Sequence, residues 1–72
     1  MAFKYEVLEK NGVLSESTKG WTKELRKISW NGRDGKYDIR EWAVGDEKMG
    51  KGITLSTDEL KQLKELLNSM DL

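Results

Sequence analysis

The chain contains no cysteine and no histidine, and proline is absent altogether. Without cysteine no disulfide can staple the fold, and without either residue the usual zinc ligands are missing. The same absences remove the commonest general base at neutral pH and the thiol nucleophile. The glycine-rich "GDEKMGKG" has neither the spacing nor the Ser/Thr of a phosphate-binding loop, and it precedes a strand pattern where such a loop would precede a helix. The chain therefore reads as non-catalytic, with no metal and no cofactor. No run approaches the roughly 18 apolar residues of a membrane span, and no apolar h-region stands near Met1. The expectation is a soluble cytoplasmic protein.

What is present is compact and charged. Seventy-two residues allow one domain, residues 1–72. A domain of that size buries only about 60% of its unfolded surface, and without staples self-association is one remaining remedy. The net charge is zero, from 13 basic and 13 acidic residues. The balance is uneven along the chain: residues 1–18 carry −1, residues 19–40 carry +4 and residues 41–72 carry −3. Fields follow local charge within a Debye length of roughly 8–10 Å, so the basic middle acts locally.

Periodicity supplies the elements. "FKYEVLE" alternates Phe3, Tyr5 and Val7 with charged residues, which predicts a half-buried strand over about 3–9. Asn11-Gly12 signals a turn or kink, and 13–16 is either a second strand or a continuation of the first. "WTKELRKISW", residues 21–30, suits strand or helix, but its end in Ile28, Ser29 and Trp30 before Asn-Gly favours strand. "NGRDG" is then a tight hairpin loop and 36–43 the next strand. A polar loop leads to a short strand at 52–55. Ser56 and Glu59 form a capping box, Asp58 and Glu59 suit the helix dipole, and Leu60, Leu63, Leu67 and Met70 recur at helical spacing. A helix over about 57–69 follows. The fold class is α+β: a curved antiparallel β-sheet followed by one C-terminal helix, in the order β-β-β-β-α.

Two strand faces look wrong for a core because they carry charge. Trp21, Lys23, Leu25, Lys27 and Ser29 share one face of their strand, and Lys36, Asp38, Arg40 and Trp42 one face of the next. Tyr37 and Ile39, together with Ile28 and Trp30, are expected on the opposite side, under the helix. The exposed face then combines indoles with cations, a combination that suits single-stranded nucleic acid: bases stack on aromatics for about 1–3 kcal/mol each while cations track phosphates. Arg40 and Trp42 would stand about 7 Å apart, two residues along a strand. In the alternative, Trp42 caps the edge of the core and Arg40 pairs with Glu24 or Asp38.

"YDIREW" and "MGKGITLSTDELKQLKELL" resemble the single-stranded-DNA-binding transcriptional coactivator family known as positive cofactor four. In that family an "IDIREYW"-like strand leads through a polar loop to "GRKGISL" and a helix. The N-terminal "GVLSES" and "KGWTKEL" look more like its small bacterial members of the YdbC type. The resemblance implies a symmetric homodimer whose helices meet at the interface, here through Leu60, Leu63, Leu67 and Met70. It implies sheet surfaces that take single-stranded DNA with little sequence preference. Arg40 stands where the motif arginine contacts DNA, Lys51 where a basic loop residue stands, and Trp42 at the aromatic position. The chain has one aromatic there, followed by Ala43, and "NGRDG" lacks the family's hairpin aromatic, so stacking falls to Trp21. The expected binding set is Trp21, Lys23, Lys27, Ser29, Arg33, Lys36, Arg40, Trp42, Lys48 and Lys51, with single-stranded DNA or RNA as partner. The runner-up reading is a protein-interaction module of transcription on the same scaffold.

Overall fold

The computed structural model describes residues 4–72. Phe3, expected on the first strand, lies outside the described residues. The elements are β1 (Tyr5–Glu16), β2 (Thr22–Trp30), β3 (Lys36–Trp42), a single 3-10 turn (Val44–Asp46), β4 (Met49–Leu55) and α1 (Thr57–Ser69). The four strands form one open antiparallel sheet in chain order, β1-β2-β3-β4. β1 is one continuous strand: Asn11-Gly12 falls at a register shift between Lys10 and Gly12, one of three such shifts against β2. Each shift adds local twist without ending the pairing. β4 begins at Met49, earlier than position 52, because Met49 pairs with Trp42 beyond a register shift after Arg40.

The β2–β3 hairpin decides which side chains share a face. Asn31 (φ 54°) and Gly32 (φ 76°) both occupy the left-handed region, and the Arg33 N–H donates to the Trp30 carbonyl at 3.0 Å. Two successive positive φ values mark the type I′ turn that Asn-Gly favours. The register that follows sets Leu25 opposite Ile39, Lys27 opposite Tyr37 and Lys23 opposite Glu41. Arg26 stands opposite Asp38, Glu24 opposite Arg40 and Thr22 opposite Trp42. Opposed residues point to the same side, so even-numbered residues of β2 and β3 share one face and odd-numbered residues the other. This corrects the sequence reading. Ile28 and Trp30 lie with Arg40 and Trp42, and it is Leu25 and Lys27 that join Tyr37 and Ile39 on the helix side. A one-residue difference in loop parity inverts the whole face of β2.

α1 starts at a complete capping box. Ser56 Oγ accepts from the Glu59 N–H at 3.1 Å and Glu59 Oε1 accepts from the Ser56 N–H at 2.8 Å. Its leucines face Leu25, Tyr37 and Ile39 across an apolar groove of about 630 Å³. No described helix residue is buried. The tight core lies on the other side of the sheet, where Ile28, Trp42, Arg26 and Asp38 are at most 1% exposed. Among the described residues no helix is long and apolar enough to cross a membrane.

β3 and β4 approach closely at Gly52, which pairs with Arg40. A Cβ there would overlap the Arg40 side chain and the Ile39 carbonyl. Gly52→Ala should therefore destabilise the fold by roughly 1–3 kcal/mol, the usual cost of overpacking, read from the urea midpoint. An unchanged midpoint would mean that the two strands part without cost.

Candidate nucleic-acid interface

The even-numbered face is built from three aromatic rings and two arginines. Tyr5 reaches this face because β1 pairs it with Trp30. Its ring lies 5.7 Å from that of Trp30 and 5.9 Å from that of Trp42, tilted by 43° and 52°. The Arg40 guanidinium stands 4.8 Å above the Trp30 ring and that of Arg26 4.0 Å above Trp42. A guanidinium over an indole face gains cation–π attraction and still keeps its N–H groups in plane for other partners.

Those partners are carboxylates. Arg40 Nε and Nη2 donate to the two oxygens of Asp38 at 2.5 and 2.8 Å. Thr54 Oγ1 donates to Asp38 Oδ2 at 3.0 Å, and Arg40 Nη1 points to Met49 Sδ at 3.3 Å. Arg26 uses its full fork: Nε donates to Glu24 Oε1 at 2.8 Å, Nη1 to Asp46 Oδ2 at 3.1 Å and Nη2 to Asp46 Oδ1 at 3.0 Å. Lys10 Nζ lies 3.5 Å from Asp46. The hydrogen bonds from Arg26 hold the Asp46 carboxyl below its ordinary value. Burial works against the charge of Arg26, but its bonds to Asp46 and Glu24 outweigh that and push it above the ordinary arginine value. Both shifts favour the ionised pair.

The expected binding residues divide between the faces. Lys36, Arg40 and Trp42 occupy the aromatic face. Lys23, Lys27 and Ser29 occupy the helix side, which separates them from Arg40 and Trp42. Lys27 Nζ stands 5.6 Å over the Tyr37 ring, and Ser29 Oγ donates to the Arg33 carbonyl at 2.6 Å, which braces the hairpin. Trp21 follows the turn closed by Ser17, with its ring near Gly50 and Glu41, on the side of Lys23. Arg33 is exposed in the hairpin, Lys48 in the loop after the 3-10 turn and Lys51 on β4. Trp42, expected as an open platform, is 1% exposed. Its Nε1 has no hydrogen-bond partner among the described residues, so packing and the Arg26 stack hold the ring. Tyr5, Arg26 and Trp30 belong to this face and were not among the expected residues. The even residue numbers shared by Arg26, Trp30, Arg40 and Trp42 are the signal for four of the five ring and cation positions, once hairpin parity is known.

Among the described residues no group of carboxylates is arranged to hold a metal ion. The sequence profile of the family described as Transcriptional Coactivator p15 (PC4) matches residues 17–66. The chain belongs to the PC4 family. The matched span runs from the turn before β2 into α1, and so includes both arginines, both tryptophans of the cluster and Asp46. Tyr5 and Lys10, contributed by β1, precede it. An uncharacterised protein of Treponema pallidum (strain Nichols) is 56% identical over 70 residues, which is 97% of this chain and 82% of that protein. The likeness to that protein extends over β1 as well.

Burial assigns Trp42 a supporting place under Arg26 and Tyr5. Trp42→Ala should lower stability by about 3–5 kcal/mol, the range for deleting a buried tryptophan. Thermal or urea unfolding reads this directly, and a loss below about 1 kcal/mol would contradict the burial.

Proposed function

We propose that the chain is a non-catalytic, homodimeric protein that binds single-stranded DNA with little sequence preference. The observation that carries this reading is the aromatic face of a PC4-family sheet: Tyr5 and Trp30 beside two arginines, rimmed by exposed Lys36 and Arg33. Bases stack on Tyr5 and Trp30, and cations at the rim take the phosphates. Stacking is worth about 1–3 kcal/mol per base and tolerates any sequence, because every base has a π-face. Arg40 is engaged with Asp38, so its outer edge contributes to the field and the exposed cations Lys36, Arg33 and Lys48 do most of the phosphate tracking, whereas Lys51 stands next to Gly52 on the other face of β4. Lys23 and Lys27, on the helix side, stand outside this interface. RNA competes through the same chemistry, since neither stacking nor phosphate contact reads the sugar.

A fluorescence titration with oligo(dT) over a range of salt tests the reading. Wild type should bind with a log-linear salt dependence, and Lys36→Ala and Arg33→Ala should each make the slope shallower by about 0.7. A salt-independent affinity, or a preference for duplex over single strands, would refute it.

The homodimer uses the opposite side. Leu67 and Met70 remain about half exposed along the stripe of Leu60 and Leu63, beside the open groove. A second copy presents the same stripe, as a two-fold interface requires. Sedimentation equilibrium at micromolar concentration should give twice the chain mass of 8.3 kDa. Leu63→Asp, which places a charge in the groove, should return it to the monomer mass. Wild type sedimenting at 8.3 kDa would exclude the dimer.

A further inference from the structure

Arg26 is the most completely engaged cation of the aromatic face, and one of its two carboxylate partners sits on a separate element. Glu24 holds Nε from two residues back on the same face of β2, and Trp42 supports the guanidinium plane from beneath. Both terminal nitrogens turn to Asp46, at 3.0 and 3.1 Å. That fork-to-oxygens geometry is also the geometry with which arginine takes a phosphate. Lys10 approaches the same carboxylate from β1. Two cations thus face two carboxylates, and withdrawal of Asp46 leaves one positive charge uncompensated on a guanidinium already fixed in place.

Asp46 is also the partner best able to leave. Its side chain is 37% exposed, against 12% for Glu24. It ends the three-residue turn with φ 59°, directly after Gly45 at φ 71°. A left-handed aspartate is tolerated but costs more than the ordinary backbone regions. Val44, which opens the same turn, is 71% exposed, so little apolar packing anchors it. A cleft of about 590 Å³ opens here, walled by Lys10, Thr22, Glu24, Arg26 and Asp46. Asp38 is a contrast: it lies wholly buried in mid-strand and has no way out.

We propose that Asp46 is an internal stand-in for a phosphate: it masks Arg26 and Lys10 in the free protein, and a bound strand displaces it to gain one further phosphate contact in this cleft. The inference rests on the proposed single-strand binding and adds to it a mask that sets affinity.

The test is oligo(dT) titration of the full chain across a salt series, for wild type, Asp46→Asn, Asp46→Gly and Glu47→Gln. Asparagine removes the charge at constant size. Glycine removes the side chain and suits the positive φ, so one variant remains informative if the other is unstable by thermal unfolding. Glu47→Gln makes the same charge change at the next residue. The Asp46 variants should bind roughly tenfold more tightly at low salt, because wild type must first break one charged hydrogen-bond contact, with the wild-type slope kept, since both end with the same phosphate contacts. Glu47→Gln should behave as wild type. Folded Asp46 variants that bind with wild-type affinity would overturn the inference alone. An equal gain from Glu47→Gln would overturn it too, since net charge would then suffice. No binding by any of the four proteins would overturn the proposed function and the mask together.

Discussion

The structure depends on keeping one buried charge satisfied. Asp38 sits in mid-strand with no exposure, where an unpaired carboxylate would cost several kcal/mol. Arg40 meets it with two N–H groups and Thr54 with a hydroxyl, which links β3 to β4 through side chains as well as backbone. To reach Asp38, two residues back along its own strand, Arg40 must lie flat against the sheet. That posture sets its guanidinium over Trp30. Satisfying one carboxylate therefore places a cation on an indole and ties Thr54 of β4 to β3.

The two sides of the sheet solve different problems. On the aromatic side, the fully buried described residues are two apolar and two charged, and both buried charges, Arg26 and Asp38, are paired. On the helix side the surfaces are apolar, yet no described helix residue is buried. A small sheet with one helix cannot close over both faces. The side with ionic pairs is self-contained within one chain, whereas the apolar side is left open, which is where the proposal places the second subunit.

Much of the architecture was legible because it is written in local chemistry. The capping box at Ser56 and Glu59 needs only residues three apart, and the Asn31-Gly32 hairpin needs only two. The faces were not legible in the same way. Alternation within β2 and β3 was plain, but their relative phase depends on how many residues the hairpin uses, and "NGRDG" allows neighbouring parities. The true register placed Trp30 with Arg40 and sent Lys23 and Lys27 to the other side. Trp42 was misread for a related reason: its neighbours in sequence are charged, but Arg26 covers it from an adjacent strand and Tyr5 from β1. The ion pair between Arg26 and Asp46 spans 20 residues, and no periodic pattern announces it.

The sheet order follows the chain order without a crossover. Every strand pairs first with the segment synthesised just before it, so each loop that must close is short and its closure entropy small. Sheets that pair distant segments fold slowly because that entropy is lost before contacts form, and this meander escapes the penalty. With no proline in the chain, no prolyl isomerisation delays the process. The chain can thus be zipped hairpin by hairpin, with α1 laid down last. Any slow, concentration-dependent phase in refolding would then report the association of two copies that the proposed dimer requires, and not the formation of either one.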